Sequence, residues 1–225
     1  MRYIKKESCP PSLTKWIAMN RSLPNFEYSS LPGEVKEDLK RALLLEQGYL
    51  CAYTGLRIEE GTHHIEHMIS QATCLAAGKP ERTVDYHNIV ACYPGAHDPN
   101  PGFGALHKDQ KENWPAIGEE SNFLKPTDAT CEARLRYLDN GGIRAENPGD
   151  YSAAITIAKL NLKDQALVRL RREALLALWK YPGKQITKVG IKRRLLRIDL
   201  MPDGKLEQFS FVKKQYLQRK MKQQS

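Results

Sequence analysis

The chain has no run approaching the ~18 apolar residues that a membrane helix requires. Its opening, MRYIKKESCPPS, lacks the apolar stretch of a signal peptide. Neither membrane spanning nor secretion is expected, and a cytoplasmic protein is. Cysteine is scarce: Cys9, Cys51, Cys74, Cys92 and Cys131 are odd in number, widely spaced and free of any CxxC pair. A disulfide scaffold and a four-cysteine zinc site are thereby excluded, and a reducing compartment fits. No internal repeat or low-complexity tract is present. At 225 residues and 41% hydrophobic content, one or two domains with a real core are expected.

What is present is unevenly placed. The net charge is +9. Residues 184–225 hold twelve Lys and Arg against three Asp and Glu, so the whole excess lies there. A concentrated basic segment attracts polyanions, nucleic acid above all. Its densest cluster is Lys192, Arg193, Arg194 and Arg197. At helical spacing Arg193 and Arg197 share a face and Arg194 turns away. The competing uses are a solvated tail or partner docking. All six histidines (His63, His64, His67, His87, His97, His107) fall within 45 residues. Histidine is both the neutral-pH acid/base and the commonest metal ligand, so this cluster is the strongest compositional pointer to chemistry.

Four segments follow from the pattern. Residues 1–48 read as a proline-rich, extended lead-in followed by a helix over Glu34–Gln47, stopped by Gly48. Residues 49–113 read as a hairpin (Tyr49–Tyr53, a Thr54-Gly55 turn, Leu56–Ile58), a strand at 63–69, a loose stretch at 70–86, a buried strand at 88–93, a Pro/Gly loop and a short helix at 105–113. Residues 114–183 begin irregularly, with short strands near Glu132–Asp139 and a turn at Asn140-Gly141-Gly142. Two helices follow, the second capped by Asn161 and stopped by Pro182-Gly183. Residues 184–225 suggest a strand or short helix and then a basic terminal helix.

The chemistry-bearing pieces come in the order His64-x2-His67 on a strand, Asn88 opening a second strand, and His107 on a short helix. Hydrolysis of a phosphodiester needs an activated water, a divalent ion on the phosphate and in-line geometry. His67 after an acidic residue, Asn88 ahead of an apolar strand and a histidine on the next helix resemble the HNH endonuclease family. The opening MRYIKK and the downstream NFLKPTD, CEARLRYLDNGGI, AAITIAKLNL and LVRLRREAL resemble the nuclease subunit (PtuB-like) of Septu-type antiphage systems.

The resemblance implies an α+β fold, with a ββα-metal core embedded in a mostly helical protein that ends in the basic region. It implies a metal-dependent endonuclease that hydrolyses invading DNA. The partners it implies are an ATPase subunit and, in retron-associated systems, a reverse transcriptase with its RNA–DNA product. The same site acting on RNA such as tRNA is the first alternative, and a degenerate nucleic-acid- or partner-binding module is the second. By resemblance His67 is the general base, and Asn88 pins a loop through side-chain-to-backbone hydrogen bonds. Glu66, His107 and His64 are the candidate ligands for Mg²⁺ or Mn²⁺. Strand alternation puts Glu66 and His67 on opposite faces, so His64 and Glu66 join His67 only where the strand bends or ends. His97 is the substitute for His107. Many members carry two zinc knuckles. Here Cys51-x2-Thr54 and Cys92-x2-Gly95 each keep one cysteine, so a structural zinc is not expected, with Cys92-x4-His97 the residual possibility.

Overall fold

The computed structural model describes residues 1–109, 114–116, 118–179 and 187–223. It is α+β: helices predominate and accompany two small antiparallel sheets. The sheet that positions the histidines is a two-stranded ribbon. β1 (His64–His67) runs antiparallel to β2 (Ile89–Cys92), with His64 opposite Cys92 and His67 opposite Ile89. β2 is buried along its whole length, as its unbroken IVAC composition requires. The predicted strands are therefore present, trimmed at their ends.

The N-terminal segment does more than lead in. Residues 11–20 form α1 (Pro11–Asn20), since Pro11 sits at the first helical position, where its missing N–H is not needed. The extended stretch ahead of it is stitched to the core. Lys6 Nζ reaches Glu46 Oε1 at 2.7 Å and the Ile89 carbonyl at 3.1 Å. α2 (Gly33–Glu46) falls where the apolar periodicity of Val35, Leu39 and Leu43 predicts it and packs against β2. It ends at Gly48, whose φ of +59° favours glycine and where a Cβ would lie 2.6 Å from Leu206 Cδ1.

One local prediction needs trimming and one correcting. The hairpin at 49–58 is present but short: Cys51 N–H donates to Leu56 O at 2.8 Å and Ile58 N–H to Tyr49 O at 3.0 Å around a single bridge, Leu50 to Arg57. Tyr49 takes a positive φ of 60°, which breaks the extended run, and Ala52 N–H donates to the Ala91 carbonyl of β2 at 3.1 Å. The loose stretch at 70–86 contains α3 (Gln71–Ala76), capped by Ser70, whose Oγ accepts from Thr73 N–H at 3.1 Å. α4 (Ala105–Asp109) begins as predicted; residues 110–113 lie outside the described residues.

Beyond it, α5 (Cys131–Arg134) leads into a hairpin of β3 (Leu135–Tyr137) and β4 (Ile143–Ala145) around the predicted Asn140-Gly141-Gly142 turn. α6 (Tyr151–Lys159) and α7 (Gln165–Leu176) are the predicted helix pair. The cap of α7 is Asp164, whose Oδ1 accepts from Ala166 N–H at 2.8 Å. Asn161 instead turns the chain after α6 at φ 45° and donates to the Gly102 carbonyl at 2.9 Å. The predicted stop at Pro182-Gly183 lies outside the described residues.

The basic region folds into α8 (Lys188–Arg197) and α9 (Ser210–Gln223), which pack on one another. Much of its charge is paired: Lys205 with Glu59 at 2.7 Å, Lys214 with Asp199, and both Arg219 and Lys220 with Asp139. Leu39 of α2, Val90 of β2, Leu160 after α6 and Leu217 of α9 belong to one contiguous core. α2 packs directly on β2, and the C-terminal helices contribute to the same core.

Candidate functional site

His67 closes β1 and is 6% exposed. Its Nε2 lies 2.8 Å from the Thr83 carbonyl. A carbonyl only accepts, so Nε2 carries the proton and Nδ1 the lone pair. The Gln71 amide nitrogen approaches Nδ1 at 3.5 Å, and the ring meets Tyr28 edge-on at 4.7 Å between centroids. Thr83 is itself fixed: its hydroxyl donates to Pro80 O at 2.7 Å and accepts from Tyr28 N–H at 2.9 Å. The imidazole is therefore held in one tautomer and one orientation.

Asn88 stands just ahead of β2 and is buried. Its Oδ1 accepts from Ile69 N–H at 2.8 Å; its Nδ2 donates to Ile69 O at 2.9 Å and to Arg82 O at 3.1 Å. One side chain thus ties the exit of β1 to the loop that carries Thr83. An amide suits this work because it offers acceptor and donors together.

The three candidate metal ligands point to three different places, and only Glu66 is already paired with a cation; His64 and His107 bond through Nδ1 alone. Glu66 points to the opposite face from His67, as alternation demands. It accepts from Tyr53 Oη at 3.0 Å and pairs with Lys108 Nζ at 3.0 Å, both side chains fully buried or nearly so. His64, at the far end of the ribbon, has Nδ1 2.6 Å from the Pro94 carbonyl. His107 turns toward α6, with Nδ1 2.9 Å from the Lys159 carbonyl. His97 is exposed and lines a recess of about 340 Å³ with His63, Glu37, Lys40 and Arg41. Among the described residues, no three His, Cys, Asp or Glu side chains gather around one point. With an ammonium already against Glu66, Mg²⁺ or Mn²⁺ does not fit beside that carboxylate in this arrangement.

What the sequence did not reveal is Lys108. Adjacent helix residues are about 100° apart around the axis, so only one of His107 and Lys108 can face β1. The packing selects the lysine. Thr83 and Tyr28 were equally hidden, since neither lies near His67 in sequence.

Beside the ribbon, Cys51 and Cys92 are buried and form no disulfide. Burial raises the Cys51 thiol, but bonds from Cys92, from the Thr54 hydroxyl and from the backbone N–H groups of Tyr93 and Thr54 outweigh it and bring it down to about 5. Cys92, which keeps its proton, is pushed well up by burial and by Cys51. On α8, Lys192, Arg193, Arg194 and Arg197 are all exposed. Arg193, Arg194 and Arg197 together line a recess of about 430 Å³ against Ile198 and Glu207. Arg194 therefore joins the other two, because the recess spans more of the helix than a single stripe.

Chemically, the ribbon offers one oriented imidazole with a basic nitrogen, an amide that locks its surroundings, and a buried carboxylate–ammonium pair behind it. No protein-family model matches the chain, and no curated protein matches it.

Proposed function

We propose that this protein is an HNH-type endonuclease that hydrolyses phosphodiester bonds, with His67 as general base. The observation that carries the reading is the Nε2–H of His67 held by the Thr83 carbonyl at 2.8 Å, which makes Nδ1 the ring's proton-accepting nitrogen. Nδ1 takes the proton of a water as its oxygen attacks phosphorus. The P–O bond opposite breaks, the leaving oxygen takes a proton from solvent water, and one product carries a 5′-phosphate and the other an alcohol. The Thr83 carbonyl then stabilises the imidazolium through the same Nε2–H. Asn88 acts as a positioning residue, because its three bonds hold the backbone that carries Thr83 against β1.

The arginines on α8 supply phosphate contacts that add affinity without sequence information. Invading DNA is the proposed substrate, and an ATPase subunit the proposed partner, with a reverse transcriptase and its RNA–DNA product in a retron setting. Those assignments rest on the resemblance in sequence.

The test is strand cleavage by the purified chain on plasmid DNA and on total tRNA, in Mg²⁺ or Mn²⁺, with and without the co-encoded ATPase. Wild type is expected to nick, and His67→Ala to lose at least about 100-fold in rate, the usual worth of a positioned base. Full cleavage by His67→Ala, or none by wild type in any lane, would sink the reading. The substrate lane separates DNA from RNA.

A further inference from the structure

Lys108 is the inward-facing residue of α4, and none of its side chain is exposed. Its ammonium lies 3.0 Å from Glu66 Oε1, and the carbonyl oxygens of His67 and Trp114 lie at 3.4 Å. The Tyr53 hydroxyl shares the same Glu66 oxygen at 3.0 Å. Among the described residues, one carboxylate and two carbonyls face the cation. Lysine has three N–H donors and no acceptor, so oxygen acceptors of this kind suit it. Hard divalent ions such as Mg²⁺ and Mn²⁺ choose the same kind of oxygen donors. The place is a cation site, and a side chain of the protein fills it.

We propose that Lys108 is the resident cation of the Glu66 site: it neutralises the carboxylate, ties α4 to the end of β1 through the His67 carbonyl, and keeps divalent ions off Glu66. The placement explains why burying Glu66 is tolerated. An ionised carboxylate out of water must be paired and hydrogen-bonded, and Lys108 and Tyr53 do both. It also sets Glu66 apart from the reacting face. The carboxylate and its ammonium lie behind β1, while Nδ1 of His67 lies on the other side of the strand. Lys108 is therefore a positioning residue for His67, with no exposed surface to offer a phosphate. The proposal draws on the nuclease reading for its significance, yet its test needs no cleavage.

The test is titration of the full chain with Mn²⁺ alone, followed by calorimetry and by thermal unfolding. Wild type and Glu66→Gln are expected to give superimposable Mn²⁺ isotherms, because Glu66 is closed to the ion in both. Lys108→Ala opens the space and leaves the oxygen donors in place. It should bind Mn²⁺ at least tenfold more tightly than wild type and gain Tm with added Mn²⁺. Both effects should vanish in Lys108→Ala/Glu66→Gln. Should Lys108→Ala fail to fold alone, recovery of its helical circular dichroism by Mn²⁺ supports the proposal. Where Mn²⁺ brings no such recovery, the comparison of wild type with Glu66→Gln decides. A wild-type Mn²⁺ site lost in Glu66→Gln would overturn the proposal, as would a folded Lys108→Ala that gains no affinity. If wild type proves to have no nuclease activity, the Mn²⁺ result stands independently.

Discussion

The two ends of the β1–β2 ribbon lie roughly 10 Å apart, three residues at about 3.3 Å each, and they are built on opposite terms. At the His67 end, hydrogen bonds dominate: imidazole to the Thr83 carbonyl, Asn88 to Ile69 and Arg82, threonine to proline and tyrosine. At the far end, Cys51 and Cys92 are buried without a disulfide, and the Nε2 of His63 is buried without a partner. The difference teaches that six clustered histidines are not six equivalent candidates. His63, His64 and His107 also bond a backbone carbonyl; what marks out His67 is the Asn88 side chain that ties the exit of β1 to the segment carrying its acceptor. His63 sits in a site that satisfies only half of it.

The largest effect should come from Asn88. Asn88→Ala leaves Ile69 N–H, Ile69 O and Arg82 O to find new partners, and Ile69 is 1% exposed. Unsatisfied buried groups cost about 1–3 kcal/mol each, so a loss of about 2–4 kcal/mol is expected in urea denaturation. The matched change at the other end, His64→Ala, removes a single bond to Pro94 O and should cost about 1 kcal/mol. Equal losses at the two ends would break the comparison.

Much of the frame behind this contrast was legible in the sequence. Apolar periodicity placed α2, α6 and α7, and the composition of NIVAC placed β2. The order of His67 and Asn88 placed a candidate base ahead of its pinning amide. Alternation along β1 already separated Glu66 from His67. What was not legible depended on partners distant in sequence. Thr83 comes from a loop sixteen residues downstream of His67. The choice of Lys108 over His107 was settled by α6, whose end captures the imidazole. The basic C-terminus looked like a tail because its acidic partners, Glu59 and Asp139, lie far back in the chain. α1 was hidden by its prolines, which read as an extended segment although Pro11 begins a helix.

A smaller effect, sharper in pH than in size, is expected at the thiol pair. Cys51 is held at about 5 in the folded protein against an ordinary 9.0. Between those values the unfolded chain binds more protons than the folded one, so this group stabilises increasingly as pH rises. Its contribution is fully present above 9 and is lost as pH falls through 5. Cys51→Ala removes it. The Tm gap between wild type and Cys51→Ala should therefore widen steadily from pH 5.5 to 8.5. A gap that stays constant would show that Cys51 acts only as packing, leaving the far end of the ribbon apolar in character.

The smallest effect is expected at His63, and its sign is informative. The side chain is 6% exposed, its Nδ1 donates to the Glu59 carbonyl at 2.8 Å, and its Nε2 has no partner. His63→Leu gives up one bond, but the Glu59 carbonyl still accepts from the Thr62 hydroxyl at 3.2 Å. It also removes a buried acceptor that nothing satisfies. Replacing such a group with an apolar one of similar size is close to neutral, so at pH 7.5 stability should shift by no more than about 0.5 kcal/mol. Acid separates the two proteins. Burial, reinforced by Lys40, lowers the pKa of His63 below its ordinary 6.5, so the folded state resists the proton that the unfolded state accepts. The stability that neutral His63 contributes is present above 6.5 and is lost as pH falls through its lowered value. Urea denaturation at pH 5.5 should therefore find His63→Leu more stable than wild type, although the two match at pH 7.5. A large loss at pH 7.5 would mean that Nε2 has work to do in the folded protein, and the two ends of the ribbon would then be alike.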